Sequence, residues 1–459
     1  MKISQSQTLL DKELEILRSA VDKADKQNAT KEATSPLIKK ILTVVEKFLK
    51  NGDLVCYGGT AINNILPKKA QFYNKEYDIP DYDFFSPNAL EDTYKLANIY
   101  YKSGFKEVEA KAGVHSGTYK VFVNFIPVAD ITQLSREIFV KLRENAIRKN
   151  NIMYAPANYL RMALYLELSR PSGDVSRWEK VFKRLVLLNK YHPLKASKCA
   201  YLKSIKNCLA DTPTINVFNA VRNAIIELKL VFFGGYAMQL YNKLMHTRYI
   251  KQLHMCNSPF NPTFDVLALY PLDAANDIRR KLEKAGITDI VFDKKLGVGE
   301  IIAPHYEVLV NGKSLLFIYE PLACHSYNTI KVQNKFVRIA TIDTMLSFYL
   351  AFLYADRKYY DESRLLCMAE FLFKVQTKNK LQQKGVLKRF STTCFGVQPT
   401  LKSVRAEKAE KFKELKNDKN SLEYQKYFLR YVPEEHIHFK KTHKRKHPKK
   451  RKPTKKRKT

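Results

Sequence analysis

Two short stretches decide how this 459-residue chain reads: Leu54-Val55-Cys56-Tyr57-Gly58-Gly59-Thr60-Ala61 and Asp81-Tyr82-Asp83-Phe84-Phe85. The first is an apolar run entering a Gly-Gly-Thr turn, with a helical pattern after it. The second alternates with a period of two, which puts Asp81, Asp83 and Phe85 on one face of a strand. A third run, Val121-Phe122-Val123-Asn124-Phe125-Ile126-Pro127-Val128-Ala129-Asp130-Ile131, reads as a buried strand that ends on a carboxylate. Carboxylates at i and i+2 plus a third from another strand can hold a pair of Mg²⁺ ions, and a small-residue turn at a helix N-terminus can hold phosphates. Taken singly, these are an ordinary tight turn, a solvated strand edge and a helix N-cap; their order and spacing set them apart. Asp78 also lies near the pair, but Pro80 breaks the strand before Asp81, so Asp81 and Asp83 are the candidates.

Hydrophobic residues make up 45% of the chain and aromatics 12%, enough for two or three full-sized domains and against broad disorder. The net charge is +35. Residues 440–459 hold 13 Lys and Arg and no acid; removing those 13 leaves +22 on the rest of the chain. A body that basic suits a polyanion, with nucleic acid the first candidate and a merely lysine-rich surface the plain alternative. Cys56, Cys199, Cys208, Cys256, Cys324, Cys367 and Cys394 are scattered, with no Cys-x-x-Cys, so neither a zinc site nor a disulfide framework is expected and a reducing compartment is. His436, His438, His443 and His447 belong to a solvated basic tail. The N-terminus lacks an apolar signal core and no run is long enough to span a membrane, so the expectation is a soluble protein.

Residues 1–34 form a charged helical segment through Leu10, Leu14, Leu17 and Val21, with Asn28 to Thr34 as a linker. Ser35 caps an amphipathic helix, and the first domain runs over 35–212. His115-Ser116-Gly117-Thr118 is a turn into the Asp130 strand, and a basic helix is expected from Arg136 to Lys149. Arg177, Lys180 and Arg184 recur at three and four residues on a later helix; that face suits either a triphosphate or plain solvent. From Val217 the order repeats. Phe232-Phe233-Gly234-Gly235-Tyr236-Ala237 mirrors the Gly-Gly turn, Thr263-Phe264-Asp265-Val266 the Asp-x-Asp strand, and Leu315 to Glu320 the Asp130 strand. The natural reading is an internal duplication, with a second domain over 213–400 and a charged helical segment and basic, disordered tail over 401–459. The second copy is degraded: Asp81 becomes Thr263, Asp130 becomes Glu320 and Thr60 becomes Tyr236.

A strand, Gly-Gly-[Ser/Thr], a helix, an Asp-x-Asp strand and a third Asp strand resemble the polymerase-beta-like nucleotidyltransferase superfamily. Together with Tyr165-Leu166-Glu167-Leu168-Ser169-x-Pro171 and Ser176-Arg177-Trp178-Glu179-Lys180-Val181, they resemble the poly(A) polymerase catalytic subunit of large cytoplasmic DNA viruses. The likeness is to the asfarvirus and giant-virus branch, with the poxvirus enzyme more distant, and it covers roughly residues 35–375. The resemblance implies an α+β fold of two tandem nucleotidyltransferase-like domains, only the first catalytic, adding AMP from ATP to mRNA 3′ ends without a template. It implies Asp81 and Asp83 bridging two Mg²⁺ (or Mn²⁺) and Asp130 on the ion near the 3′-hydroxyl, while Gly58, Gly59 and Thr60 suit the β- and γ-phosphates and the face with Arg177 and Lys180 suits the triphosphate. It also implies RNA as partner, no membrane, a second copy or a viral processivity or cap-methyltransferase subunit beside it, and residence in the virion and host cytoplasm. The competing readings are a CCA-adding or oligoadenylate-type enzyme and a non-catalytic RNA-binding processivity subunit.

Overall fold

The computed structural model describes residues 3–74, 76–196, 199, 212–244, 263–378 and 387–435. The basic tail over 440–459, His436, His438, His443, His447, Cys208 and Cys256 lie outside the described residues. In chain order the elements begin with α1 (Ile3–Ala33), α2 (Pro36–Asn51), β1 (Val55–Cys56), α3 (Gly58–Ile65), β2 (Tyr82–Ser86) and α4 (Ala89–Lys102). Then come β3 (Val108–Ala112), β4 (Thr118–Val123), β5 (Ile126–Gln133), α5 (Arg136–Glu144), β6 (Ile147–Lys149), β7 (Ile152–Tyr154), α6 (Ala157–Leu168) and α7 (Trp178–Tyr191). The middle of the chain gives α8 (Thr212–Glu227), β8 (Val231–Phe232), α9 (Gly235–Leu244), β9 (Phe264–Leu267), α10 (Pro271–Lys284), β10 (Ile290–Lys295), β11 (His305–Val310) and β12 (Lys313–Tyr319). It continues through β13 (His325–Val332), β14 (Lys335–Ala340), α11 (Ile342–Phe352) and α12 (Glu362–Lys378). Last are β15 (Cys394–Phe395), α13 (Leu401–Leu415), α14 (Leu422–Phe428) and β16 (Arg430–Tyr431). They group into two compact units: Met1–Leu54, Tyr73–Gln133 and Glu407–Thr459 in the first, Val55–Phe72 and Leu134–Ala406 in the second. Both are discontinuous in sequence, unlike the contiguous stretches 35–212 and 213–400.

In unit 1 five strands run in the order β16-β3-β4-β5-β2. β2 and β5 are parallel and the other neighbours antiparallel. Ser35 caps α2 as expected, its side chain accepting from the Leu37 N–H. The i, i+3, i+7, i+11 spacing of Ile38, Ile41, Val45 and Leu49 puts all four on the buried face of α2. Each such burial is worth roughly 1.5–3 kcal/mol as an upper figure. The Tyr100 hydroxyl ties α4 to α2 by donating to the Ile41 carbonyl at 2.9 Å.

Three expectations change here. The linker at Asn28 to Thr34 is the end of α1, where the Thr30 and Thr34 hydroxyls bond back to carbonyls four residues earlier. The single run from Val121 to Ile131 is two strands, because Asn124 and Phe125 take φ of 50° and 67°, the left-handed pair that closes a tight hairpin. The C-terminal segment is not only helical: Arg430 and Tyr431 pair with Lys111 and Ala110 as an edge strand.

In unit 2, β1 pairs in parallel with β7 and β7 antiparallel with β6. The basic helix expected to Lys149 stops at Glu144, since Asn150 and Asn151 (φ 51° and 62°) turn β6 into β7. A separate eight-stranded sheet runs β10-β11-β12-β9-β8-β14-β13-β15. Within it, β10-β11-β12-β9 has the same order and directions as β3-β4-β5-β2 in unit 1. Likewise β8-β14-β13 has the pattern of β1-β7-β6. Helix α11 is buried at every position, with its polar Asp343, Thr344 and Ser347 each hydrogen-bonded inside. Two disulfides, Cys199–Cys367 and Cys324–Cys394, overturn the expectation of unpaired cysteines. Their sequence separations of 168 and 70 carry no local signal. Among the described residues no helix is long and apolar enough to cross a membrane.

Candidate active site

The carboxylates come together in unit 1. Parallel pairing of β2 with β5 sets Asp83 directly beside Asp130 in the register. Asp81 precedes β2 by one residue and is exposed at the surface. Its carboxyl is nonetheless raised above the usual carboxylate range, first by desolvation and then by the negative charge of Asp130, while Lys120 pulls it down. Asp78 serves the local chain instead, its Oδ2 accepting from the Asn74 N–H at 2.7 Å to close a turn.

Lys120 is the residue the sequence reading missed. It lies on β4 opposite Asp130, and its Nζ forms an ion pair with Asp130 Oδ2. Counting back from the Asn124-Phe125 turn would have found it, had that turn been recognised. Asp130 Oδ1 is buried and accepts no hydrogen bond. Among the described residues no group of three His, Cys, Asp or Glu stands ready-made around a metal position. A buried carboxylate oxygen without a donor, and a second carboxyl disfavoured by its neighbour's charge, are what a hard divalent cation relieves. The set Asp81, Asp83 and Asp130 therefore fits such an ion, with Lys120 supplying the positive charge beside Asp130 in the structure at hand.

The other candidates belong to unit 2. Gly58 opens α3 with φ 72°, and Tyr57 at its N-cap makes no side-chain capping bond. Gly59 and Thr60 follow, both buried. Arg177 precedes α7 and its Nε lies 3.2 Å from Glu167 Oε1. The Trp178 indole N–H donates to the Glu167 carbonyl at 3.1 Å, so Glu167 joins the two motifs around Tyr165 and Trp178. Lys180 is exposed on the first turn of α7, and Arg184 sits over the Phe72 ring at 5.0 Å.

The mirrored stretch is built otherwise. Asp265 on β9 faces Phe317 in the parallel register, not Glu320, which is exposed past the end of β12. The position that answers to Asp130 is thus an apolar ring, because the strand register is shifted three residues from the sequence alignment. Asp265 is half-buried, with its carboxyl pushed up to about 6 by desolvation against the pull of Arg364 and a hydrogen bond from the Gly235 N–H. A Cβ on Gly234 would lie 1.8 Å from Asp265 Oδ2, so the carboxylate fills the space beside the Gly-Gly turn itself.

Two mixed sheets with helices interspersed along the chain make this an α+β protein. Its fold is that of the crystal structure of the Megavirus polyadenylate synthase, with a TM-score of 0.76 over 95% of this chain and 90% of that one at 18% identity. Residues 43–174 match the family model described as "Poly(A) polymerase catalytic subunit". An African swine fever virus protein named as a putative poly(A) polymerase catalytic subunit is 35% identical over 170 residues, 36% of this chain and 35% of the relative. A protein of Acanthamoeba polyphaga mimivirus with the same name is 31% identical over 200 residues, 42% of this chain and 32% of the relative. The matched segments thus span about a third of the length of these relatives.

Proposed function

We propose that this chain is a poly(A) polymerase catalytic subunit that transfers AMP from ATP to the 3′ end of RNA without a template. The observation that carries the reading is the Asp83–Asp130 register pair with Asp81 just ahead of it, inside the region that matches the family model. In the reaction the RNA 3′-oxygen bonds to the α-phosphorus of ATP, the bridge to the β-phosphate breaks and pyrophosphate leaves. Asp81, Asp83 and Asp130 would hold two Mg²⁺, or Mn²⁺ in their place, and ions bound there would supply charge stabilisation for the attacking and leaving oxygens.

The chain's own groups do the remaining work. Gly58 permits close approach of the backbone to phosphate, and the N–H groups of Gly58, Gly59 and Thr60 meet the β- and γ-phosphates. Arg177, steadied by Glu167, and exposed Lys180 add positive charge for the triphosphate. Asp130, whose Oδ1 is without a hydrogen bond of its own, would hold the ion that lowers the pKa of the 3′-hydroxyl and so acts next to the proton that leaves. The repeated strand orders support an internal duplication, and Thr263, Phe317 and Tyr236 support a second copy that contacts RNA without chemistry. The partners of this reading are RNA and either a second copy or a viral processivity or cap-methyltransferase subunit, in the host cytoplasm and the virion.

The Lys120–Asp130 ion pair favours one other reading, a non-catalytic RNA-binding subunit. Extension of a labelled oligoribonucleotide with ATP, GTP, CTP and UTP offered separately, with Mg²⁺ or Mn²⁺, decides between them. Selective, repeated AMP addition is expected. Ordered use of CTP and ATP would make it a CCA-adding type, and no turnover with any nucleotide would leave the binding subunit.

A further inference from the structure

Unit 2 contains a cavity of about 180 Å³ whose polar lining is Arg222, Asn223, Tyr236, Gln333 and Lys335. No Asp or Glu lines it. Arg222 and Asn223 come from α8, while Gln333 and Lys335 come from the tip of the β13–β14 hairpin. Tyr236 stands where the first glycine turn has Thr60, and its hydroxyl is hydrogen-bonded to Arg222. The supporting elements are just as one-sided. Residues 325–340 carry Lys331, Lys335 and Arg338 and no acid. The one acid of α8, Glu227, is held by Lys281 at 2.7 Å. A cavity with two cations and three further polar side chains suits an oxyanion, and its volume exceeds what one or two waters need.

A second feature narrows the anion. Phe336, next to Lys335, is 71% exposed, and its cross-strand partner is Lys331. Adjacent strand residues point to opposite faces, so the hairpin offers Lys335 with the cavity on one face and an open ring beside a lysine on the other. A cationic groove with an exposed aromatic is the pairing that single-stranded nucleic acid uses: phosphate on the charges, base on the ring. We propose that this cavity is a backbone-phosphate subsite for the RNA strand, with a neighbouring base stacked on Phe336. The proposal rests on the reading above only in taking RNA as the polymer.

The test is equilibrium binding of the full chain to a fluorescent oligoadenylate with a 3′-deoxy end, without ATP, across a salt series. Lys335→Ala and Arg222→Gln are each expected to weaken binding and to flatten the log–log salt slope by about 0.7, the loss of one single-strand phosphate contact. Phe336→Ala is expected to weaken binding roughly 5- to 150-fold while leaving the slope alone, as stacking carries no counterions. Lys335 and Phe336 are exposed, so neither substitution threatens the fold. Parent-like affinity and slope in all three variants would overturn the proposal. If millimolar ATP displaces RNA from the parent but not from Lys335→Ala, the cavity takes free nucleotide phosphate and the RNA assignment fails. Because the readout is binding, a parent that adds no AMP would sink the polymerase reading without touching this one.

Discussion

Replacing Asp265 by asparagine isolates the cost of keeping a carboxylate in the second glycine turn. The folded-state pKa of about 6 lies above the value of 3.8 for an unperturbed aspartate. The folded chain thus holds this proton more tightly than the unfolded chain. Below about pH 4 both states are protonated and the group costs nothing. As pH rises through the window from about 4 to 6, the unfolded chain ionises freely while the folded one resists, and stability falls. A gap of about two pKa units is worth about 3 kcal/mol of lost stability at pH 7 and above. The carboxamide would keep the shape and the acceptor for the Gly235 N–H but could not ionise. The Asp265→Asn variant is therefore expected to melt several degrees above the parent at pH 8 and to converge with it near pH 4. Thermal unfolding of both full-length proteins across pH 4 to 8 measures this. A parent that is the more stable at pH 8, or a difference that does not vary with pH, would refute a desolvated carboxylate that costs stability and show a needed anion instead. AMP addition by the variant should stay within a few-fold of the parent, which an extension assay checks in the same preparations.

Asp83→Ala should abolish AMP addition while circular dichroism and RNA affinity stay close to the parent, since one shared ligand is lost and a repelling charge goes with it. Lys120→Met should tighten Mn²⁺ binding, read by electron paramagnetic resonance, by about tenfold or more, because a half-exposed cation beside Asp130 no longer competes; unchanged affinity would mean Lys120 is indifferent to the ion. Deleting residues 440–459 removes 13 cations and should flatten the salt dependence of RNA binding, while an unchanged slope would leave targeting as the tail's role.

What was legible in the sequence was what short-range pattern encodes. The Gly58-Gly59 turn, the Asp83 strand and the α2 cap at Ser35 all stand where apolar periodicity and turn chemistry put them. Asp78, set aside on the ground that Pro80 breaks the strand, instead accepts from the Asn74 N–H in a local turn that the sequence reading did not foresee. What failed depends on register. The Asn124-Phe125 hairpin, hidden in a run that is apolar on both sides, decides that Lys120 meets Asp130. The pairing of Asp265 with Phe317 rather than Glu320 likewise follows from strand alignment, which periodicity leaves free to slide. The two disulfides join residues far apart in the chain and could not be paired by spacing.

The edge strand at Arg430 and Tyr431 has a consequence for how the protein comes into being. It completes the row of strands that carries Asp83 and Asp130, and the Tyr431 hydroxyl donates to Asn98 at 2.9 Å while its ring meets Tyr94 edge-on. A ribosome finishes residues 73–133 long before it reaches 407, and at typical synthesis rates the interval is roughly 15–55 s. Through that interval β3 waits with a bare edge on the nascent chain, the kind of edge that invites pairing with a stranger. A chain cut short before Arg430 would leave the edge of β3 open beside the strands that carry the carboxylates.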